Sequence, residues 1–534
     1  MLINIRERSQ KVASCIKTKA SATLKTIAAT TGLHPSSIHR HRHAIKRRNQ
    51  YPESSFWETE AGYQWLLRLV FGVVYHFGIK QGVGAESLSE FIQAMHLETH
   101  VASSASSLRQ LKHRVNQALL DYEASQSEHC QPSAGQGICV GADETFFGLP
   151  VLVLIELASG YIFIETECEN RTYETWMEQV NQWWSSHDWH CHYLVSDGAR
   201  ALVKLAVSGL GCVSVADLFH ALRALGRPFG SVLGRQAAAL KKQQDKLQKQ
   251  LDKRRDETIP TSLQSSMEGI AVAQQQLQQD EQTYHDALEH ISQIIHPFTL
   301  DSQQWQTQRN LLTHLAPPLQ RLWELAQADN TQKAQKAIDT FEKQIASFAQ
   351  GIDAWREWVT LALEAQTQDV ALHSWVLSVL LPWVYWTQQA DKTRQPALKQ
   401  RYQQAASTAF DRLFEQPATL QLDDTQRQRW VHWCQEFCAK YQRTSSAVEG
   451  RNGYLSKLHH ARRGFSEQSL QVLTIIHNFD LKRPDGSTAA QRLFGHNFPD
   501  VFEWMLEQVG DLPMPRRSSK SHSPKPLYAD GFSA

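Results

Sequence analysis

Three carboxylates far apart in the chain stand in settings suited to metal chemistry. Asp143 lies in GADET, Asp197 in VSDG 54 residues later, and Glu449 in SSAVEGRNGYLSKLHHARRGF. Two carboxylates leaving neighbouring strands at one sheet edge can hold a pair of Mg2+ ions about 3.5 to 4 Å apart. One ion then activates an attacking oxygen and the other stabilises the leaving oxygen of a phosphodiester. Glu449 would be the third acid of such a cage. On an expected helix, Glu449, Asn452, Gly453 and Ser456 share one face at i, i+3, i+4 and i+7, which leaves Arg451, Lys457, Arg462 and Arg463 for phosphates. Taken singly, each aspartate has a plainer use. Asp143 ahead of Thr145 can cap a turn, and Asp197-Gly198 can cap the start of a helix. Glu144 is expected on the opposite strand face, in a structural role. His432, Cys434 and Cys438 lack a fourth zinc ligand within sequence reach, and WHCHY around Cys191 reads as packing.

The elements that must position these acids follow from the apolar periodicity. GICVGADET, PVLVLIEL and YIFIETE are short apolar runs separated by Gly148-Leu149-Pro150 and Ser159-Gly160, which predicts an antiparallel meander. TYETWMEQVNQWW has helical spacing, HYLVSDG reads as a strand, ARALVKLAVSG as a helix and CVSVAD as a fifth strand. The order β-β-β-α-β-α-β predicts a mixed α/β sheet, with Asp143 ending the first strand and Asp197 the fourth. After Phe229 the strand pattern gives way to a Gln- and Leu-rich helical region. There Leu240, Leu247 and Leu251 stand at near-heptad spacing. DETIPTS interrupts the pattern before a second run through Ile270 and Leu277, which predicts an antiparallel coiled-coil hairpin. Further helices are expected from about Trp305 to Tyr441. HSWVLSVLLPWVYW, short and carrying a proline, is expected as a buried helix and not a membrane span.

The charge is nearly balanced, 55 Lys and Arg against 54 Asp and Glu, so affinity for nucleic acid must come from local patches. One patch is plain: from Ser9 to Pro52 there is no acidic residue. Within it, Leu24, Ile27 and Ala28 keep helical spacing, Thr31-Gly32 breaks the helix, and Pro35-Ser36 opens another with Ile38 turned inward. This cadence predicts a helix-turn-helix whose second helix enters the major groove. It would offer Ser36, Ser37, His39, Arg40, Arg42, His43, Lys46, Arg47 and Arg48 to DNA. A basic, solvated helix hairpin is the competing reading. Residues 51–130 are expected to be helical, with Trp57, Trp65, Leu66, Leu69 and Val70 on an apolar face. A second helix-break-helix there fits either another DNA-binding unit or a packed linker, since Glu90 and Glu98 dilute its charge. Eight irregularly spaced cysteines suit a reducing compartment, and MLINIRERSQK has charges where a signal peptide needs an apolar run. The Pro- and Ser-rich end around MPRRSSKSHSPKP is expected to be disordered.

Taken together, ADET around Asp143, VSDG around Asp197, ADLFH from Ala216 to His220, and SAVEGRNGYLSKLHHARRGF around Glu449 give the chain a resemblance. It resembles the DDE-type transposases of bacterial insertion sequences, which have a ribonuclease H-like catalytic core. The resemblance implies a multidomain α and α/β protein. A helix-turn-helix at 1–50 and a helical segment at 51–130 would precede a core at 131–229 and 441–505. An all-α insertion at 230–440 would interrupt that core, and a basic tail would occupy 506–534. It also implies Asp143, Asp197 and Glu449 as catalytic metal ligands, with Asp217 and His220 as auxiliary residues. The cofactor would be two Mg2+ ions, with Mn2+ able to substitute. The partners would be double-stranded DNA, both transposon ends and target, bound by a homodimer or higher oligomer in the bacterial cytoplasm at the nucleoid. The implied reaction frees a 3′-hydroxyl at an element end and joins it to target DNA. The alternative is a non-catalytic helix-turn-helix regulator or a domesticated relative. A structure-specific nuclease would not need the N-terminal reader.

Overall fold

A computed structural model describes residues 5–18, 21–49, 51, 53–184, 188–253, 260–329, 331–462 and 464–515. They are mostly helical, with one five-stranded mixed sheet, and they divide into two compact units. One unit takes its residues from 131–453 and 492–494. The other takes them from the segments before 131, at 454–491 and after 494.

The sheet lies in the first of these. Its strands are β1 (Gln136–Phe146), β2 (Pro150–Glu156), β3 (Ile162–Glu167), β4 (Trp189–Ser196) and β5 (Val213–Ala216), in spatial order β3-β2-β1-β4-β5. The meander pairs antiparallel, while β1 with β4 and β4 with β5 run parallel. Every residue of β2 is buried, because both faces of the sheet are covered, and this is why its sequence reads as an unbroken apolar run. On one face Val140, Ala142, Leu152 and Leu154 pack with Trp176, Val180, Leu202 and Leu205 from the two helical segments that follow β3 and β4. On the other face Gly141 admits the Ser446–Arg462 helix. A Cβ there would stand 3.1 Å from Val448 Cγ2 and 2.6 Å from Leu157 Cδ2. Asp143, two residues along the pleat, emerges on that same face.

The sequence reading needs two corrections here. Asp143 does not end β1. The parallel ladder with β4 stops at Gly141, but antiparallel pairing with β2 carries the strand on to Phe146. Nor does the helical region begin after Phe229. A single helix, Leu218–Asp252, starts directly beyond β5 and passes through Pro228 without ending. It folds back on the Thr261–Ile294 helix: Gly226 accepts a hydrogen bond from Tyr284 at 3.2 Å, and Gln274 donates to Gln244 at 3.0 Å, so the pair is antiparallel. Among the described residues between 218 and 440 the only β pairing is an isolated bridge from Phe298 to Trp305. The Gln332–Gln366 helix lies on the sheet. Its Ser347 hydroxyl accepts from the Ala216 amide at 2.8 Å, and a Cβ on Gly351 would meet Val215 at 2.9 Å. The continuous helical run Val370–Lys392 is long and apolar enough to cross a membrane by length and composition alone. Its Trp375, Leu380, Leu381, Tyr385 and Trp386 are buried in the helical region, as expected for a core helix.

In the other unit, helices Ile5–Thr18, Leu24–Thr31 and Pro35–Arg48 enclose a small core of Val12, Ile27, Ile38 and Ile45. Gly32, in the left-handed region at φ 67°, ends the middle helix and donates its N–H to the Ala28 carbonyl, which is the break read from Thr-Gly. Helices Glu60–Gly72, Ala85–Ala94 and Ala105–Gln126 follow. The inward face of the first is Tyr63, Leu66, Val70 and Phe71. Trp65, expected among them, is 60% exposed. Of the expected tail, residues 506–508 complete the Val501–Gln508 helix, and 516–534 lie outside the described residues.

Candidate functional site

The parallel pairing of β1 with β4 sets Gly141 beside Val195, and Asp143 and Asp197 each follow two residues later. Their carboxylates have different fates. Asp197 is exposed and its Oδ1 accepts the Ala199 N–H at 2.8 Å, next to Gly198 at φ 84°, so it serves the turn into the next helix. Asp143 is part-buried and faces the Ser446–Arg462 helix, from which Asn452 Nδ2 donates to its Oδ2 at 3.1 Å. Glu449 approaches the same place one turn earlier on that helix.

Among the described residues one group has metal-ligand atoms all within 4.8 Å of one another: Asp143, His220 and Glu449. His220 Nε2 lies 3.0 Å from Glu449 Oε1, and its Nδ1 lies 3.7 Å from Asp217 Oδ2. Asp197 is not in this group. Of the three acids expected together, the geometry gathers two, and the residue expected to be auxiliary occupies the centre. His432, Cys434 and Cys438 form no such group among the described residues. His432 pairs with Glu436 at 3.3 Å, and the two thiols are buried. His192, in the WHCHY segment, stacks on Trp358 with ring centres 4.1 Å apart.

Asp217 explains how residues so distant in sequence converge. It caps the Leu218–Asp252 helix, with Oδ1 accepting the His220 N–H at 3.0 Å. Its Oδ2 accepts both the Ser445 N–H, at 2.6 Å, and the Ser445 hydroxyl. Leu218 N–H donates to the Arg443 carbonyl at 3.0 Å. One buried carboxylate therefore clasps the point where the chain leaves the sheet for the helical region to the point where it returns. His220 sits just past one side of the clasp and Glu449 just past the other.

The electrostatics follow from this packing. Burial pushes the Asp143 carboxyl up to about 7, and the nearby Glu449 charge adds to the rise. His220 is raised to about 9, chiefly by Asp217 with Glu449 and Asp143 adding, against the effect of burial. Burial opposes the charge on Asp217, but hydrogen bonds from His220 and Ser445 outweigh it and hold that carboxyl below its ordinary range. At neutral pH the imidazolium lies between Asp217 and Glu449 and compensates both.

The donor set fits a hard cation. Asp143 and Glu449 supply carboxyl oxygens within reach of one another, and Asn452 Oδ1 beside them is buried with no hydrogen-bond partner. These residues suit one ion directly. A second ion would depend on Asp197, whose Oδ1 is engaged at the turn.

The phosphate-binding expectations are also revised. Arg451 does not face phosphate. It is buried, and its Nε and Nη2 each lie 2.6 Å from the Glu165 carboxylate on β3 in a two-pronged ion pair. Lys457 is exposed, the side chain of Arg462 is not described, and Arg463 lies outside the described residues. On the Pro35–Arg48 helix, Ser36, His39, Arg40, His43, Lys46 and Arg47 are exposed, and Ser37 and Arg42 are half-buried. Arg48 is committed elsewhere, to Glu58 at 2.6 Å and the Ser9 hydroxyl at 2.6 Å. Glu144 lies on the opposite sheet face, its side chain almost wholly buried, 3.5 Å from Arg171.

Sequence reasoning missed the Glu165–Arg451 pair and the Asp217–Ser445 clasp, since neither partner signals the other across hundreds of residues. It also passed over Arg223 and Arg227, which follow His220 at i+3 and i+7 on one helix face. No curated protein matches the chain. A family described only as a family of unknown function (DUF6399) matches residues 376–521, a segment that contains Glu449 and Asn452 but not Asp143, Asp197, Asp217 or His220.

Proposed function

We propose that the protein is a DNA-processing enzyme of the DDE transposase type, with the five-stranded sheet as a ribonuclease H-like core and the N-terminal helices as a helix-turn-helix reader of element ends. The observation that carries this reading is the meeting of Asp143 with Glu449 beside His220, although 306 residues separate the two acids in the chain. The sheet order, the parallel β1–β4 pair behind Asp143 and Asp197, and the exposed acid-free Pro35–Arg48 helix support it. Mg2+, when bound, would activate the attacking oxygen and stabilise the leaving oxygen of a phosphodiester. The chain's own contribution is to hold Asp143 and Glu449 at fixed separation through β1, Asn452 and the Asp217 clasp. His220, 3.0 Å from Glu449, helps to hold it in place. The eight free thiols fit work in a reducing cytoplasm, on chromosomal DNA in this reading, and joining two ends calls for at least a dimer.

The test is to incubate the full chain and its Glu449→Gln variant with duplex DNA carrying the ends of its own coding element, with Mg2+ and with EDTA. Mg2+-dependent nicks with a free 3′-hydroxyl are expected from the wild type and not from the variant. Equal nicking by both would remove Glu449 from the reaction. Specific binding of end DNA with no nicking under any divalent ion would favour the non-catalytic regulator.

A further inference from the structure

A cavity of about 510 Å³ opens beside the acidic cluster, bordered by Asp197, Asp217 and His220 and walled by the Leu218–Asp252 and Gln332–Gln366 helices. Four cations line it: Arg223 and Arg227 on one wall, Lys333 and Lys336 on the other. All four are exposed, and none makes an ion pair among the described residues. The walls run in opposite directions. The Ser347 hydroxyl is tied to the Ala216 amide at the sheet, so residues 344, 340, 336 and 333 lead outward as 220, 223 and 227 do on the facing helix. At about 1.5 Å per helical residue, Arg223 and Arg227 lie along the roughly 10 Å beyond His220, and Lys336 and Lys333 along the roughly 17 Å beyond Gln344 on the facing wall. This row of uncompensated positive charge begins at a cluster of acids and leads away from it, the pattern that a polyanion with one phosphate at the acids would require.

We propose that this groove holds a single strand of DNA adjoining the reacting phosphate, with Arg223, Arg227, Lys333 and Lys336 on its backbone. The inference rests on the phosphodiester reading of Asp143 and Glu449 and adds to it the form of the substrate. A cavity of this volume has room for a nucleotide or two. A strand that enters it to reach the acids would be separated from its complement there. The helical region thus supplies half of the substrate-binding surface through Lys333 and Lys336, while the helix that carries His220 supplies the other half.

The test measures binding of the full chain, in EDTA, to a fluorescent single-stranded oligonucleotide and to the same sequence as a duplex, over a series of salt concentrations. The quadruple variant Arg223→Ala, Arg227→Ala, Lys333→Ala, Lys336→Ala is compared with the wild type. The two double variants, one for each wall, keep the result interpretable should the quadruple misfold. Single-strand affinity should fall at least about tenfold, and its logarithmic salt slope should shrink by about 3, as expected for four lost phosphate contacts. Duplex affinity should change less than about twofold, because the N-terminal helices carry it. Unchanged single-strand binding, or equal loss of both DNA forms, overturns the proposal. Mg2+-dependent nicking is scored separately. A wild type that binds single strands through the groove but never nicks removes the reaction and leaves the groove. A quadruple variant that nicks a forked substrate with unchanged KM removes the groove and leaves the reaction.

Discussion

The Pro35–Arg48 helix and the Asp143–Glu449 site both gather charged residues, yet they are built in opposite ways. On the first, Arg40, Lys46 and Arg47 point to water, and the charges come from one short stretch of sequence. In the second, charges from three distant segments are packed inward and each has a polar or charged partner: Asp217 has Ser445, His220 has Glu449, and Arg451 has Glu165. A charge that faces solvent costs little to place and can be substituted alone. A charge that is buried must come with its partner, and removing either one leaves the other stranded. The two regions should therefore fail differently.

The largest contrast is expected in cleavage. Asp143→Asn should lower Mg2+-dependent nicking on the order of 10³-fold while duplex binding by gel shift stays within about twofold, because charge is lost and shape is kept. Asp197→Asn is the sharper probe. A comparable loss means the turn at Gly198 opens to deliver Asp197 to a second ion. Near-wild-type nicking means the chemistry runs on Asp143 and Glu449 alone. Glu144→Gln, on the far face of the sheet, should nick normally. Next in size is Arg451→Met, which leaves Glu165 buried without its cation and should cost about 3 to 5 kcal/mol in chemical denaturation. Were its stability unchanged, the ion pair would not be a fixed anchor.

On the N-terminal helix, the double variant Arg40→Ala, Arg42→Ala should weaken end binding and reduce its logarithmic salt slope by about 2, with no change in melting temperature. Arg48→Ala should do the reverse, lowering stability by about 1 to 3 kcal/mol through the lost Glu58 and Ser9 bonds and leaving the salt slope alone. The smallest effect is a pH dependence. Burial lowers His192 to about 3 and His100 to about 4. Both are neutral when folded and take up a proton near 6.5 when unfolded. These two histidines should therefore make stability decline as the pH falls from 6.5 toward 4, and His192→Phe should flatten that decline in melting temperature.

What could be read from the sequence sorts along the same division. The strands were legible because β-branched runs such as PVLVLIE sit between turn residues, and the hairpin because its leucines repeat. The boundary at Phe229 was misplaced because a helix that starts on the sheet and leaves it shows no break in period where it leaves. Glu449 and Asp143 could be nominated by residue type. Their company could not. Arg451, two residues from Glu449, reads as one more cation in a basic helix, and only the packing of that helix on β3 turns it inward to Glu165. His220 likewise reads as a neighbour of Asp217 until the chain returns at Ser445 to bring Glu449 beside it.

The clasp at Asp217 bears on how this unit melts. A segment of more than two hundred residues that leaves a sheet and returns could unfold on its own, as a tethered domain does. Here the Gln332–Gln366 helix is packed on the sheet through Ser347 and Gly351, and one carboxylate binds both ends of the excursion. Neither part retains a complete interior without the other. Sheet and helical region are therefore expected to share one calorimetric transition, with a heat capacity change set by their joint buried surface, so that the cooperativity of the unit follows its contacts and not the order of its chain.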